Sequence, residues 1–298
     1  MFKYLLSHPL TRAIDIDDPR TTWLRRRIIE EKRFLRRIYE EWYQRLAEAI
    51  PDGTEPVLEI GSGAGFLSRF IPDLITSEVF FCPDISVSLD ASQLPFKDNS
   101  LRGIVMTGVL HHIPNPRGFF AEATRCVRSG GAMAMIEPWF TPWSNLIYRY
   151  LHHEGFRPEA TEWEFPTSGP LSGANGAMPW MIFERDRKQF EQEFPGWKVQ
   201  YVTPFMPFRY LLSGGLSLRS LLPGAAFTLI RNLEQRMQSR MKSWAMFAEI
   251  RLLRTEISIN DCFDSPRADQ AWNIESERQL PSARSGGGGL SLQTDLSS

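Results

Sequence analysis

Hydrophobic positions along this chain change period from one segment to the next. Leu24, Ile28, Leu35, Ile38, Trp42 and Leu46 recur at helical spacing, and Asp18-Pro19 ahead of them supplies a cap and a first-turn proline. Short apolar runs follow. Val57–Ile60 reads as a buried strand, and Leu74–Ser77 ends a second. Ile85, Val87 and Leu89 alternate as a third, and Arg102–Thr107 forms a fourth. Asn115 and Pro116 then open a helix that runs to about Arg128, with Phe119, Phe120, Ala123 and Val127 on one face. Gly130 is expected as its left-handed cap, and Ala132–Ile136 as a fifth strand. Trp197–Val202 and Ala248–Leu253 complete the pattern as two late strands. Strands alternating with helices predict an open α/β sheet.

One turn in this pattern carries chemistry. After the first strand the chain reads Gly61-Ser62-Gly63-Ala64-Gly65-Phe66-Leu67, a glycine turn expected to lead into a helix. Ligands of open α/β sheets sit at the carboxyl ends of the strands, where the backbone must come close to them without Cβ atoms in the way. The spacing is G-x-G-x-G, not the G-x-G-x-x-G of dinucleotide sites, and Glu59 stands two residues before the first glycine. A ribose-binding acid is expected about 20 residues further on. Glu78 and Asp84 both qualify, but Asp84 would leave no room for a third strand before Asp90. Glu78 is therefore favoured.

The glycine turn resembles motif I of the class I S-adenosylmethionine-dependent methyltransferases. Asp90-Ala91 at the end of the third strand, followed by Gln93-Leu94-Pro95-Phe96, continues that likeness. So does the later run Leu110-His111-His112-Ile113-Pro114, with Arg125, Val127 and Gly130-Gly131; it is similar to the menaquinone/ubiquinone type, except for Ser129 at the usual proline. The resemblance covers roughly residues 56–139. It implies a doubly wound, mostly parallel seven-stranded sheet with an N-terminal helical arm and a helical, aromatic insertion; the two late strands fit its closing antiparallel pair. It also implies S-adenosylmethionine as cofactor. Gly61, Ser62, Gly63 and Gly65 would hold the methionine portion with Glu59 behind them, Glu78 the ribose, Asp90 and Ala91 the adenine. Thr107 is a further cofactor contact.

Composition narrows the partners. The 298 residues carry a formal net charge of −1, so nothing in bulk electrostatics points to nucleic acid. The 3 cysteines (Cys82, Cys126 and Cys262) are far apart, which argues against a disulfide framework or a cysteine zinc site and for a reducing compartment. No apolar run has transmembrane or signal-peptide length, so a cytoplasmic location is expected.

The domain reading is an arm over 1–50, a methyltransferase domain over 51–257 and a disordered tail over 258–298, where Ser, Asp, Arg, Gln and Gly286–Gly289 dominate. The domain divides into a cofactor half, 56–139, and acceptor-shaping insertions, 140–247. Arg25-Arg26-Arg27, Lys32-Arg33 and Arg36-Arg37 make the arm basic: a solvated face, or alternatively a peripheral membrane contact. Trp139, Trp143, Tyr148, Trp163 and Trp180 either pack as core or line an acceptor site, and Gly169–Gly176 reads as a loop. Phe205–Ile230 is broken by Pro207, Gly214-Gly215 and Pro223-Gly224, so it covers the acceptor site as helical pieces or dips into a lipid monolayer. His112, Glu137 and His153 are the candidates for orienting or deprotonating the acceptor. A metal is not expected, because adjacent histidines lack the i, i+4 spacing that sets two ligands on one helix face. The function read from the chain is methyl transfer to a small-molecule or lipid-like acceptor; the alternatives are a non-catalytic cofactor-binding scaffold and a peripheral membrane assembly protein.

Overall fold

Seven strands form the centre of the protein in a computed structural model that describes residues 20–152, 154–167, 169 and 173–256. They are β1 (Val57–Ile60), β2 (Leu74–Glu78), β3 (Val87–Ser88), β4 (Leu101–Thr107), β5 (Val127–Pro138), β6 (Trp197–Phe205) and β7 (Phe247–Arg254). Their order across the sheet is β3-β2-β1-β4-β5-β7-β6. β1 to β5 pair in parallel, whereas β7 runs antiparallel to both β5 and β6. The order reverses between β1 and β4, and at such a switch point a crevice opens at the carboxyl ends of the strands. All four residues of β1 and the first six of β4 are buried, as expected of strands covered on both faces.

The arm is two helices, α1 (Arg20–Glu31) and α2 (Arg33–Ala49). Lys32 separates them by leaving helical geometry, with φ −92° and ψ 86°. Its ammonium donates to the carbonyls of Gly215, at 2.5 Å, and Leu218, at 2.8 Å. α2 buries Phe34, Leu35, Ile38, Tyr39, Trp42, Tyr43 and Leu46, the face that the helical spacing predicted, and packs it near β5. Much of the arm's positive charge is engaged nearby: Arg27 pairs with Glu31, Arg36 with Glu40, and Arg26 with Asp84. The first 19 residues of the arm and the tail expected beyond Ser258 lie outside the described residues.

Three local expectations give way. No α-helix follows the glycine turn, only a single 3-10 turn, Leu67–Arg69. Pro72 follows within three residues, Asp73 adopts φ 59°, and β2 begins at Leu74, so the chain has no length in which to continue a helix. The third strand pairs only through Val87 and Ser88. Gly130 does have a positive φ of 75°, but α3 (Pro116–Cys126) ends earlier. Gly130 instead sits within β5, where the β4–β5 register shifts between Leu101 and Gly103. At the other end of α3 the side-chain Oδ1 of Asn115 accepts from Gly118 N–H at 2.9 Å, and Pro116 takes the first helical position.

Between β5 and β6 lie α4 (Pro142–Leu151), a short helical stretch, Met178–Trp180, that widens into a π-turn over Met181–Arg185, and α5 (Arg187–Glu193). Between β6 and β7 a short helix, Arg209–Ser213, ends at Gly214 and Gly215, with φ of 72° and 50°, and α6 (Phe227–Arg236) follows. The apolar run at Phe205–Ile230 is thus broken where glycine and proline predicted. Among the described residues no helix is long and apolar enough to cross a membrane.

A buried ion network clamps this second insertion to the arm. Glu234 of α6 accepts from the N–H groups of Phe208, at 2.9 Å, and Arg209, at 2.8 Å, and from the Arg209 guanidinium. Arg209 also reaches Glu41 of α2 at 2.5 Å, and Arg231 contacts the same carboxylate at 2.8 Å. Removing one member of a buried pair strands the other without its counter-charge. Arg209→Met should therefore lower unfolding stability by about 3–5 kcal/mol in urea titrations. Arg231→Met, at a largely exposed position, should change it by less than about 1 kcal/mol. Equal losses from both would show that the burial of Arg209 is irrelevant.

Candidate active site

The carboxyl edge of β1, β2 and β4, the arm and the two insertions enclose a cleft of about 440 Å³. Its floor is the glycine turn. Ser62 fixes that turn to β2: its N–H donates to Ser77 O at 2.8 Å, and its hydroxyl accepts from Ser77 N–H at 3.0 Å. The Ser77 hydroxyl in turn donates to Glu59 O at 2.7 Å. Gly61 and Gly63 have φ of 64° and 48°. Gly65 is required for a different reason: a Cβ there would lie 2.5 Å from the Tyr43 hydroxyl and 2.8 Å from Ser62 O. The third glycine of the motif therefore lets the arm approach the turn.

Three acids surround this floor. Glu59 is buried, and burial lifts its carboxyl to about 7; a hydrogen bond with the Ser62 side chain opposes the rise and the charge of Glu78 adds to it. Glu78 ends β2 and is 7% exposed. Burial raises its carboxyl above the ordinary range, against the N–H groups of Gly63 and Val79 and the charge of Arg25. Asp90 is exposed at the rim, where Ser92 donates to one of its oxygens through N–H at 2.8 Å and hydroxyl at 2.7 Å. Ala91 lies beside it in the lining. Thr107, at the end of β4, also lines the cleft, and its buried hydroxyl has no hydrogen-bond partner. The same holds for the indole N–H of Trp42, on the opposite wall.

The loop after β4 is organised by Glu137. This carboxylate is 0% exposed; it accepts from Val109 N–H and Leu110 N–H, both at 2.8 Å, and from His111 Nδ1 at 2.7 Å. Glu137 was expected to act on the acceptor, but it does not line the cleft and both of its oxygens are engaged. It positions the loop. Burial alone would lower the His111 imidazole, yet its bonds to Glu137 and Glu154 push it up to about 9, so it is charged at neutral pH. His112 goes the other way: burial and the neighbouring His111 charge bring it down to about 4. It is therefore a neutral ring, with Nδ1 3.2 Å from Gly173 O. Burial would raise Glu154, but bonding to His111 and the nearby imidazoles hold it well below the usual carboxylate range. His153 lies outside the described residues.

The aromatics read as either core or site lining divide between the two. Of Trp139, Trp143, Tyr148, Trp163 and Trp180, only Tyr148 lines the cleft. Trp163 is core, its N–H donating to Asp186 at 2.9 Å, and Trp143 packs against Phe208 and Trp244. Further lining rings come from the arm, the insertion after β6 and the late strand. Trp42 stacks on Tyr210 with centroids 5.7 Å apart and touches Phe247 at 5.1 Å; Tyr39 and Tyr43 stand beside it. Spacing in the sequence identified the buried face of α2 and did not mark its three polar-tipped aromatics as a site wall. Arg25 of α1 was also missed; its charge bears on Glu78, Tyr39, Tyr210 and His112.

Residues 58–135 match the family model of a methyltransferase domain, Methyltransf_11. The strand order with its single antiparallel strand is the doubly wound, mostly parallel seven-stranded sheet that the motifs implied, and the resemblance to the class I S-adenosylmethionine-dependent methyltransferases holds over the matched residues. No curated protein matches the chain in sequence. Among solved structures, the complex of the Haloferax volcanii Trm112 methyltransferase activator with a protein described as a methyltransferase is 12% identical, covering 82% of this chain and 99% of that one, at a TM-score of 0.46. The geranyl diphosphate C-methyltransferase of Streptomyces coelicolor A3(2) is 11% identical, covering 74% and 81%, at 0.44.

The charge on His111 has a consequence for stability. Its pKa in the folded protein, about 9, lies above the ordinary 6.5, so its contribution is complete below about pH 6.5 and is lost as pH rises through about 9. The melting temperature of the wild type relative to His111→Gln, which can still donate to Glu137 but does not titrate, should fall by several degrees between pH 7 and pH 9.5, a range above the Glu59 value. Parallel melting profiles for the two proteins would remove the imidazolium from this account.

Proposed function

We propose that the protein transfers the methyl group of S-adenosylmethionine to a small-molecule or lipid-like acceptor by direct displacement. One observation carries the reading. A glycine cradle without room for a Cβ at Gly65 shares one cleft with two buried polar atoms, Thr107 Oγ1 and Trp42 Nε1, that have no hydrogen-bond partner among the described residues. Buried polar atoms are nearly always hydrogen-bonded, so a pair of orphans in a cleft argues for a ligand that completes them. The turn residues Gly61, Ser62, Gly63 and Gly65 would hold the methionine portion, Glu78 the ribose hydroxyls, and Asp90 with Ala91 the adenine at the rim.

The bound cofactor supplies an already activated methyl group, so the protein's share of the work is alignment and exclusion of water. Tyr39, Trp42, Tyr148, Tyr210 and Phe247 form the apolar wall for both tasks. An uncharged, ring-lined wall favours a planar or aliphatic acceptor over a polyanion. His112 is neutral at physiological pH and stands in the cleft lining, where it can help to orient an acceptor oxygen; a pKa of about 4 makes it a poor proton store. The basic arm is read as the lid of this cleft because Arg25 faces inward and its neighbours pair with acids close by.

Thermal unfolding with S-adenosylhomocysteine tests the cofactor site. At about 100 times the dissociation constant the ligand should add about 2.7 kcal/mol, a midpoint rise of several degrees. Glu78→Ala and Asp90→Ala should each reduce that rise at fixed ligand concentration. The absence of any shift at millimolar ligand would overturn the methyltransferase reading and leave a scaffold role.

A further inference from the structure

We propose that His111, His112 and Glu154 form a binding site for a first-row divalent cation at the acceptor side of the cleft. Their ligand atoms lie within 4.8 Å of one another, and all three residues line the cleft. His111 Nε2 is 3.4 Å from one Glu154 oxygen, and His112 Nε2 is 3.8 Å from the other. Bonds of about 2.0–2.2 Å at a tetrahedral ion set neighbouring ligand atoms about 3.3–3.5 Å apart. The first separation meets that; the second, to the other oxygen, is a few tenths of an ångström longer, and with one oxygen as ligand the whole set stays within 4.8 Å, so side-chain rotation would complete the site. His152 Nδ1, 3.7 Å from Glu154, stands beside the group.

The outer partners point the same way. Imidazoles that bind metals usually donate their other N–H to a carboxylate or a backbone carbonyl, which fixes the tautomer and turns the free nitrogen to the ion. Here His111 Nδ1 bonds the buried Glu137 carboxylate and His112 Nδ1 bonds Gly173 O. Each arrangement directs Nε2 toward Glu154. The spacing rule that spoke against a metal applies to α-helices. Leu110–His112 is a 3-10 turn, where the two ring centroids come within 4.2 Å and face one acid.

Two imidazoles and one carboxylate suit Zn²⁺ or its first-row neighbours better than Mg²⁺ or Ca²⁺, which prefer oxygen. Binding is an exchange in which the His111 Nε2 proton leaves to solvent and the ion takes its place between the ring and Glu154. Three protein ligands leave a coordination position open toward the cleft, fit for an oxygen of the acceptor. That last role rests on the methyltransferase reading; ion binding does not.

The test uses the full chain, stripped with a chelator and dialysed at pH 8 against micromolar Zn²⁺, with Co²⁺ as a spectroscopic probe. The expected result is one ion per chain and visible Co²⁺ bands, with affinity reduced roughly tenfold or more in both His112→Ala and Glu154→Gln. Cys82→Ser should bind as the wild type does. Melting curves of the two variants without metal establish that they fold, and the S-adenosylhomocysteine shift, measured separately, reports on the cofactor site. Absence of a stoichiometric ion, or binding unchanged in both variants, would overturn the proposal and leave His111 as an imidazolium bridging two carboxylates.

Discussion

A single buried carboxylate sets the geometry of the functional edge. Glu137 stands at the end of β5 with no exposure, and such a group is tolerated only when its oxygens are fully hydrogen-bonded. Two backbone N–H groups and one imidazole meet that need. In doing so they fold the loop after β4 into a tight turn and draw His111 into the protein. Glu137 and Glu154 together raise His111, whose charge adds to burial in lowering His112 and, against burial, lowers Glu154. The states of three titratable groups are thus tied to one side chain that does not line the cleft.

The arm is the second element on which the cleft depends. The parallel strands provide a floor and one wall; without α2 the glycine turn would open to solvent. Gly65 and Tyr43 are matched at this seam, since the absence of a Cβ on one admits the phenol of the other. Burial pushes the Tyr43 hydroxyl well above its ordinary range, as expected where water is excluded. Arg209 and Glu41 fasten the arm to the insertion after β6, so three segments distant in sequence share one clamp.

The sequence made the cofactor half legible because its signals are local. Glu59, the glycines, Glu78 and Asp90 occur at spacings that a strand–turn–strand geometry demands, and the strands between them are marked by apolar runs. The helix expected after Phe66 failed because the pattern of Leu67 and Ile71 suits one helical turn as well as three, and only Pro72 limited it. Gly130 shows the same ambiguity, its positive φ serving a register shift within a strand and not a helix end. The acceptor side was not legible. Its wall is assembled from α1, α2, α4, the turn after Arg209 and β7, and no local spacing records that Trp42, Tyr210 and Phe247 meet.

That non-local construction shapes how the site works. Trp42 contributes a ring to the wall and an unpartnered N–H to the interior, so the residue that excludes water also asks for a polar ligand atom. Under the proposed reaction a sulfonium charge is dispersed as the methyl group moves, and a wall of ring faces in low dielectric accommodates a diffuse cation without the reorganisation water would need. Two acids of the cleft lining are engaged otherwise: burial raises Glu59 toward neutrality, and Glu154 is tied to imidazoles. Under the proposed reaction, specificity would reside in the contour of the arm and insertions, and the charge balance in the loop that Glu137 holds. The two elements are built from different segments, so a change in one need not disturb the other.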